Sequence, residues 1–82
     1  MNKVKKLTEL FPDEEFLIAD GLDKAIIGVE SEGERRVVYD YDMMVQIYMS
    51  EGMTEEDAIE HISYNVMGSY VGEKTPLFIN KI

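Results

Sequence analysis

Cysteine is absent from this chain. Without a thiol there is no disulfide framework and no zinc–thiolate site, so 82 residues must hold together through one modest apolar core. A reducing compartment accords with that composition. No apolar run is long enough to cross a bilayer. The opening Met1-Asn2-Lys3-Val4-Lys5-Lys6 also lacks the apolar block of a secretory signal. The expectation is a soluble cytoplasmic protein with a single acidic domain over residues 1–82.

Basic residues are the second scarcity. Seventeen carboxylates face eight lysines and arginines, for a net charge of −9. Lys3, Lys5, Lys6 and Lys81 lie near the ends, leaving Lys24, Arg35, Arg36 and Lys74 for everything between. From Val37 to Gly72 there is neither lysine nor arginine, yet this stretch carries Asp40, Asp42, Glu51, Glu55, Glu56, Asp57 and Glu60. Such a field repels nucleic-acid phosphates and attracts basic protein surfaces. Direct nucleic-acid binding is therefore disfavoured. A plainer reading, that acidity keeps a small domain in solution, accounts for the same charge.

Local patterns divide the chain into elements. Residues 1–12 read either as a short amphipathic helix through Val4, Leu7, Leu10 and Phe11, stopped by Pro12, or as a loosely docked arm. Asp13-Glu14-Glu15 is a solvated turn, Phe16-Leu17-Ile18 an apolar patch, and Asp20-Gly21-Leu22-Asp23 a second turn. The runs Ala25–Glu30 and Arg35–Tyr39 are rich in β-branched residues and flank a polar turn with Gly33, which predicts a β-hairpin. Asp40 or Asp42 is placed to cap a helix from about Met43 to Glu51, ended by Gly52. The apolar odd positions from Val37 to Met49 would also suit an extended segment, but methionine and glutamine favour the helix. Thr54, three residues before Asp57, predicts the start of a second helix, with Glu55, Glu56 and Asp57 in its first turn. Its apolar stripe is Ala58, Ile59, Ile62 and Val66, and Gly68 ends it. Leu77-Phe78-Ile79 follows Pro76 as a short strand.

The fold class expected is α+β in the order strand, strand, helix, helix, strand. A small antiparallel sheet, made of the hairpin and the C-terminal strand, packs against two helices. Expected core residues are Ile26, Val29, Val38, Ile59, Ile62, Val66, Leu77 and Ile79.

Few motifs carry chemistry. Gly68-Ser69-Tyr70-Val71-Gly72-Glu73-Lys74-Thr75 superficially resembles a phosphate-binding loop. Only three residues separate its glycines, Glu73 intrudes before Lys74, and the stretch leads from helix to strand, the reverse of what a P-loop needs. It reads as a structural loop, with Tyr70 and Val71 anchoring it on the core. His61 is the sole histidine; it shares a helix face with Asp57, but the spacing supplies no third metal ligand. Asp20, Asp23, Glu30, Asp40 and Asp42 would suit a magnesium cluster only if the hairpin gathered them, and turns and caps already explain the aspartates. Met43, Met44, Met49 and Met53 make the helical half rich in flexible, polarisable side chains. Such residues suit either a core or an adaptable binding face, and a domain this small needs most of them in its core.

Arg36-Val37-Val38-Tyr39-Asp40, the run EGMTEEDAIEH from Glu51 and the run NVMGSYVGEKTPLFI from Asn65 together resemble a group of small uncharacterised tailed-bacteriophage proteins. The shared pattern is the strand Ala25 to Gly28, the turn Tyr39-Asp40, the helix start Gly52 to Ala58 and the segment Tyr70 to Pro76. It covers about residues 20 to 80. What the resemblance implies is an accessory role in which a small acidic protein binds and redirects a host protein in the host cytoplasm.

The function expected is non-enzymatic: docking on a basic surface of a host protein through an acidic helical face. By analogy with DNA mimics and anti-defence inhibitors, the host protein would be a nucleic-acid-binding or defence enzyme. The residues assigned to that face are Asp40, Asp42, Glu51, Glu55, Glu56, Asp57 and Glu60, with Met43, Met44, Met49 and Met53. No cofactor, metal or membrane is called for, and a homodimer is left open. The alternatives are a metal-dependent enzyme or ligand-binding domain using Asp20, Asp23, Asp40 and Asp42, and a minor virion component.

Overall fold

The computed structural model describes residues 3–19, 21–68 and 72–82. The N-terminal stretch is a helix, α1 (Lys3–Leu10). Val4 and Leu7 turn inward from it, and Leu7 is buried. Its last turn closes with the Phe11 N–H on Leu7 O at 3.0 Å, after which Pro12 cannot continue the ladder. The Lys3 ammonium donates to Lys24 O at 3.0 Å and Ile26 O at 2.8 Å, tying the helix to the start of the sheet. Phe16, Ile18 and Ala19 then pack along the core. Gly21 takes a φ of 79°, and one 3₁₀ turn over Asp23–Ala25 leads into the hairpin.

That hairpin is β1 (Ile26–Val29) and β2 (Val37–Asp40), paired antiparallel with a bulge between Ile26 and Gly28. Its turn is closed by Glu30, whose carboxylate accepts the Arg36 N–H at 2.9 Å and the guanidinium at 3.0 and 3.1 Å. Those bonds from Arg36 hold the Glu30 carboxyl below the usual range. The third strand, β3 (Leu77–Ile79), lies beside β2. Here the expected all-antiparallel sheet is corrected: β2 and β3 are parallel, so the sheet is mixed. Two helices separate β2 from β3, long enough for the crossover that parallel neighbours need.

The helices begin and end on side chains that the sequence announces. For α2 (Tyr41–Ser50), Asp40 is the cap, its Oδ1 accepting the Met43 N–H at 3.2 Å. At the other end Gly52 adopts a φ of 106° while its N–H reaches Met49 O and the Met53 N–H reaches Tyr48 O. That pair of bonds is the Schellman arrangement, and only glycine takes such a φ without steric cost. Thr54 caps α3 (Glu55–Ile62) through an Oγ1 that accepts the Asp57 N–H at 3.1 Å. The helix then widens into a π-helical turn over Ser63–Met67 before Gly68.

The core lies between these helices and one sheet face. Ile26, Val37 and Tyr39 from the sheet meet Met44, Val45, Ala58 and Ile62, with Leu22 and Ala25 beneath. The Tyr39 ring stacks on Phe78 at 5.8 Å, and its hydroxyl accepts the Ala19 N–H at 2.8 Å. Burial raises the Tyr39 phenol above its ordinary range, so it stays neutral. Four expected core residues sit elsewhere. Strand alternation puts Val38, Leu77 and Ile79 on the face opposite Tyr39 and Phe78, where Val38 and Leu77 are half-buried and Ile79 is exposed. Ile59 falls beside the Ala58–Ile62–Val66 stripe and is 41 % exposed.

Candidate protein-binding surface

On α3, Glu55, Glu56 and Asp57 occupy the first turn, where the helix dipole favours negative charge. Glu60 lies one turn on, and Glu51 stands at the end of α2. All five are exposed, as is Asp42 in the first turn of α2. Salt bridges among the described residues join Arg35 and Lys74 to Glu14, Arg36 to Glu30, and Lys81 to Asp40. None reaches Asp42, Glu51, Glu55, Glu56, Asp57 or Glu60. Among the described residues these six carboxylates have no ion-pair partner.

Within it lies an open depression of about 360 Å³, lined by Met53, Asp57, Glu60, His61, Tyr64 and Asn65. Four of these recur at helical spacing: Asp57, Glu60, His61 and Tyr64 fall at i, i+3, i+4 and i+7. The His61 ring meets Tyr48 edge-on at 4.7 Å, and the Asn65 amide lies 3.3 Å from both His61 Nδ1 and His61 O. Burial and the nearby Glu51 push the Tyr48 phenol up, keeping it neutral. Two carboxylates, a methionine, His61 and a Tyr64 ring that is 76 % exposed border this shallow surface, whose carboxylates and ring suit an ammonium or guanidinium group. Tyr64 and Asn65 join the site from the π-helical turn, outside the acidic set expected from the sequence. Counting helical turns from Asp57 would have found Tyr64, at i+7.

The other assigned residues divide by burial. Met43 is exposed, Met49 and Met53 are partly buried against the core, and Met44 is wholly buried. Asp40 is only 7 % exposed, and its carboxylate is the α2 cap, with Lys81 Nζ at 3.9 Å. Exposed apolar side chains near the carboxylates in sequence come instead from Met43, Ile59 and Met67.

Asp20 lies outside the described residues, as do Tyr70 and Val71. Among the described residues, no three histidine, aspartate or glutamate side chains converge as metal ligands. Lys74 is held by Glu14 at 2.8 Å and lies 5.6 Å from the centre of the Phe16 ring. Glu14 also meets Arg35, at 3.6 Å, so one carboxylate gathers the hairpin turn and the C-terminal loop. The Lys74 hydrogen bond holds the Glu14 carboxyl below its usual range. No described helix is long and apolar enough to cross a membrane. No family model, no curated protein and no solved structure matches the chain.

Proposed function

We propose that this is a non-enzymatic accessory protein that docks on a basic surface of a host protein through the carboxylate face of α3 and the end of α2. The observation that carries the reading is the set Glu51, Glu55, Glu56, Asp57 and Glu60, exposed and without a cation among the described residues. Like charges crowded around the end of α2 and the start of α3 destabilise a fold slightly through mutual repulsion, and a basic partner relieves that cost. The depression between Asp57 and Glu60 supplies an anchor for one lysine or arginine, with Tyr64 providing a cation–π wall. Apolar contact from Ile59 and Met67 would exclude water around that anchor.

A partner with a basic surface is commonly one that grips nucleic acid, so occlusion of such a site is the biological role this reading favours. The fitting test is affinity capture from host lysate at low and high salt. It compares the wild type with a variant carrying lysine at Glu55, Glu56 and Glu60. One basic protein retained by the wild type at low salt, lost at high salt and lost in the variant is the expected result. Equal retention by both proteins would contradict the assignment of this face.

A further inference from the structure

We propose that the groove between α1 and β1 is a second binding surface, which takes an extended acidic segment of a partner protein as an added strand. β1 is an edge strand, bonded only to β2. The Glu30 N–H turns inward to Arg36 O at 3.0 Å, so backbone alternation turns the N–H and C=O of Val29 outward. Facing this edge across about 450 Å³ of open groove are Leu7 and Leu10 of α1, while Ile26 and Ile27 form the strand side. Leu10 is 60 % exposed and Ile27 is also exposed, so apolar surface lies uncovered beside the outward backbone groups of Val29, while the Ile26 carbonyl is already held by Lys3. That combination suits strand addition, with main-chain bonds giving affinity and alternate side chains filling the groove.

The charge of the lining selects the occupant. The charged residues around this groove are Lys3 and Lys6, both positive. Three other depressions of the described surface carry more carboxylates than lysines: Asp23 and Glu51 with Lys24, Asp57 and Glu60, or Glu14, Glu15, Glu34 and Glu73 with Lys74. Lys6 makes no ion pair with the described residues. Lys3 spends two of its three donors on Lys24 O and Ile26 O, which leaves one for a carboxylate arriving along the edge. In a chain of net charge −9 this is a local cationic rim on an apolar slot. An extended segment alternating apolar and acidic residues matches it in shape, backbone bonding and charge.

The test uses the full chain and a short fluorescein-labelled peptide of alternating isoleucine and glutamate, followed by fluorescence anisotropy. Saturable binding that weakens with salt is expected, with no binding of the matching isoleucine–lysine peptide. Lys6→Glu should weaken binding roughly tenfold or more, because an attraction becomes a repulsion at the rim. Leu10→Asp changes an already exposed position and should do likewise without unfolding the protein. The same peptide methylated at alternate backbone nitrogens should lose binding, which tests strand addition without altering the protein. Failure of the glutamate peptide to bind, or binding unaffected by backbone methylation and by Lys6→Glu, would overturn the proposal. It would equally be overturned by self-association through this edge in sedimentation, or by tighter binding to anionic phosphatidylserine vesicles than to the peptide. Because this groove is separate from the α3 face, its failure would leave the carboxylate-face reading standing.

Discussion

Replacing Asp40 separates its capping role from its charge at one carboxylate. Its Oδ1 accepts the Met43 N–H at 3.2 Å, and the side chain is almost fully buried at the junction of β2 and α2. Loss of an N-cap acceptor costs about 1 kcal/mol. The contact with Lys81 adds little, since the separation is 3.9 Å and the lysine is exposed. Asp40→Ala should therefore lower stability by about 1 kcal/mol, which is roughly 4–8 °C in Tm for a domain of this size. Asparagine keeps the acceptor and removes the charge, so Asp40→Asn should retain most of the stability. Asp42→Ala, at an exposed first-turn position, should stay within about 0.5 kcal/mol of the wild type. Urea denaturation followed by circular dichroism measures all three. Equal losses for Asp40→Ala and Asp40→Asn would show that charge, not capping, is what the fold needs there.

Gly68→Ala should be the less well tolerated of two glycine substitutions, because a Cβ there would lie 3.0 Å from the carbonyl oxygens of Ser63 and Tyr64 and needs that backbone to shift by a few tenths of an ångström. Gly28→Ala, with nothing within 4 Å, should be tolerated; chemical denaturation of the pair compares them directly. Tyr39→Phe removes the acceptor of the Ala19 N–H and should cost about 1–2 kcal/mol, visible as a lower urea midpoint. The carboxyls of Glu14 and Glu30 are depressed, chiefly by hydrogen bonds from Lys74 and Arg36. Their stabilisation is complete above the ordinary carboxylate range and is lost as pH falls through and below it. A Glu14→Gln, Glu30→Gln double variant should show a shallower loss of stability in acid, and an unchanged pH profile would contradict the assignment.

Much of the fold was legible because its signals are local. Thr54, Asp40 and Gly52 mark helix ends through bonds to backbone groups within a few residues, and the hairpin is marked by its β-branched runs and Gly33. The apolar alternation from Val37 to Met49 was ambiguous because it runs across a boundary: strand to Asp40, helix from Tyr41. Strand direction was not legible, since Leu77-Phe78-Ile79 has the same composition whether it runs parallel or antiparallel to β2. Which face of that strand is inward depends on Phe78 stacking on Tyr39, a contact between residues far apart in sequence. Of the acidic face, the exposed residues of α3 followed from helical spacing. The burial of Met44 and of Asp40 followed from how α2 leans on the sheet, which no local pattern encodes.

If carboxylates of α3 guide a basic partner to this surface, Glu60 is the residue whose reversal shows it most directly. It is exposed, lies beyond the capped first turn and borders the depression with Asp57. The decisive measurement is the association rate of the purified partner with wild type and Glu60→Lys, taken by stopped flow across a range of salt concentrations. Glu60→Lys should associate more slowly, with a flatter dependence on salt and an unchanged urea midpoint. Association at the wild-type rate and salt dependence, by a variant that folds normally, would contradict it and move the interface off α3.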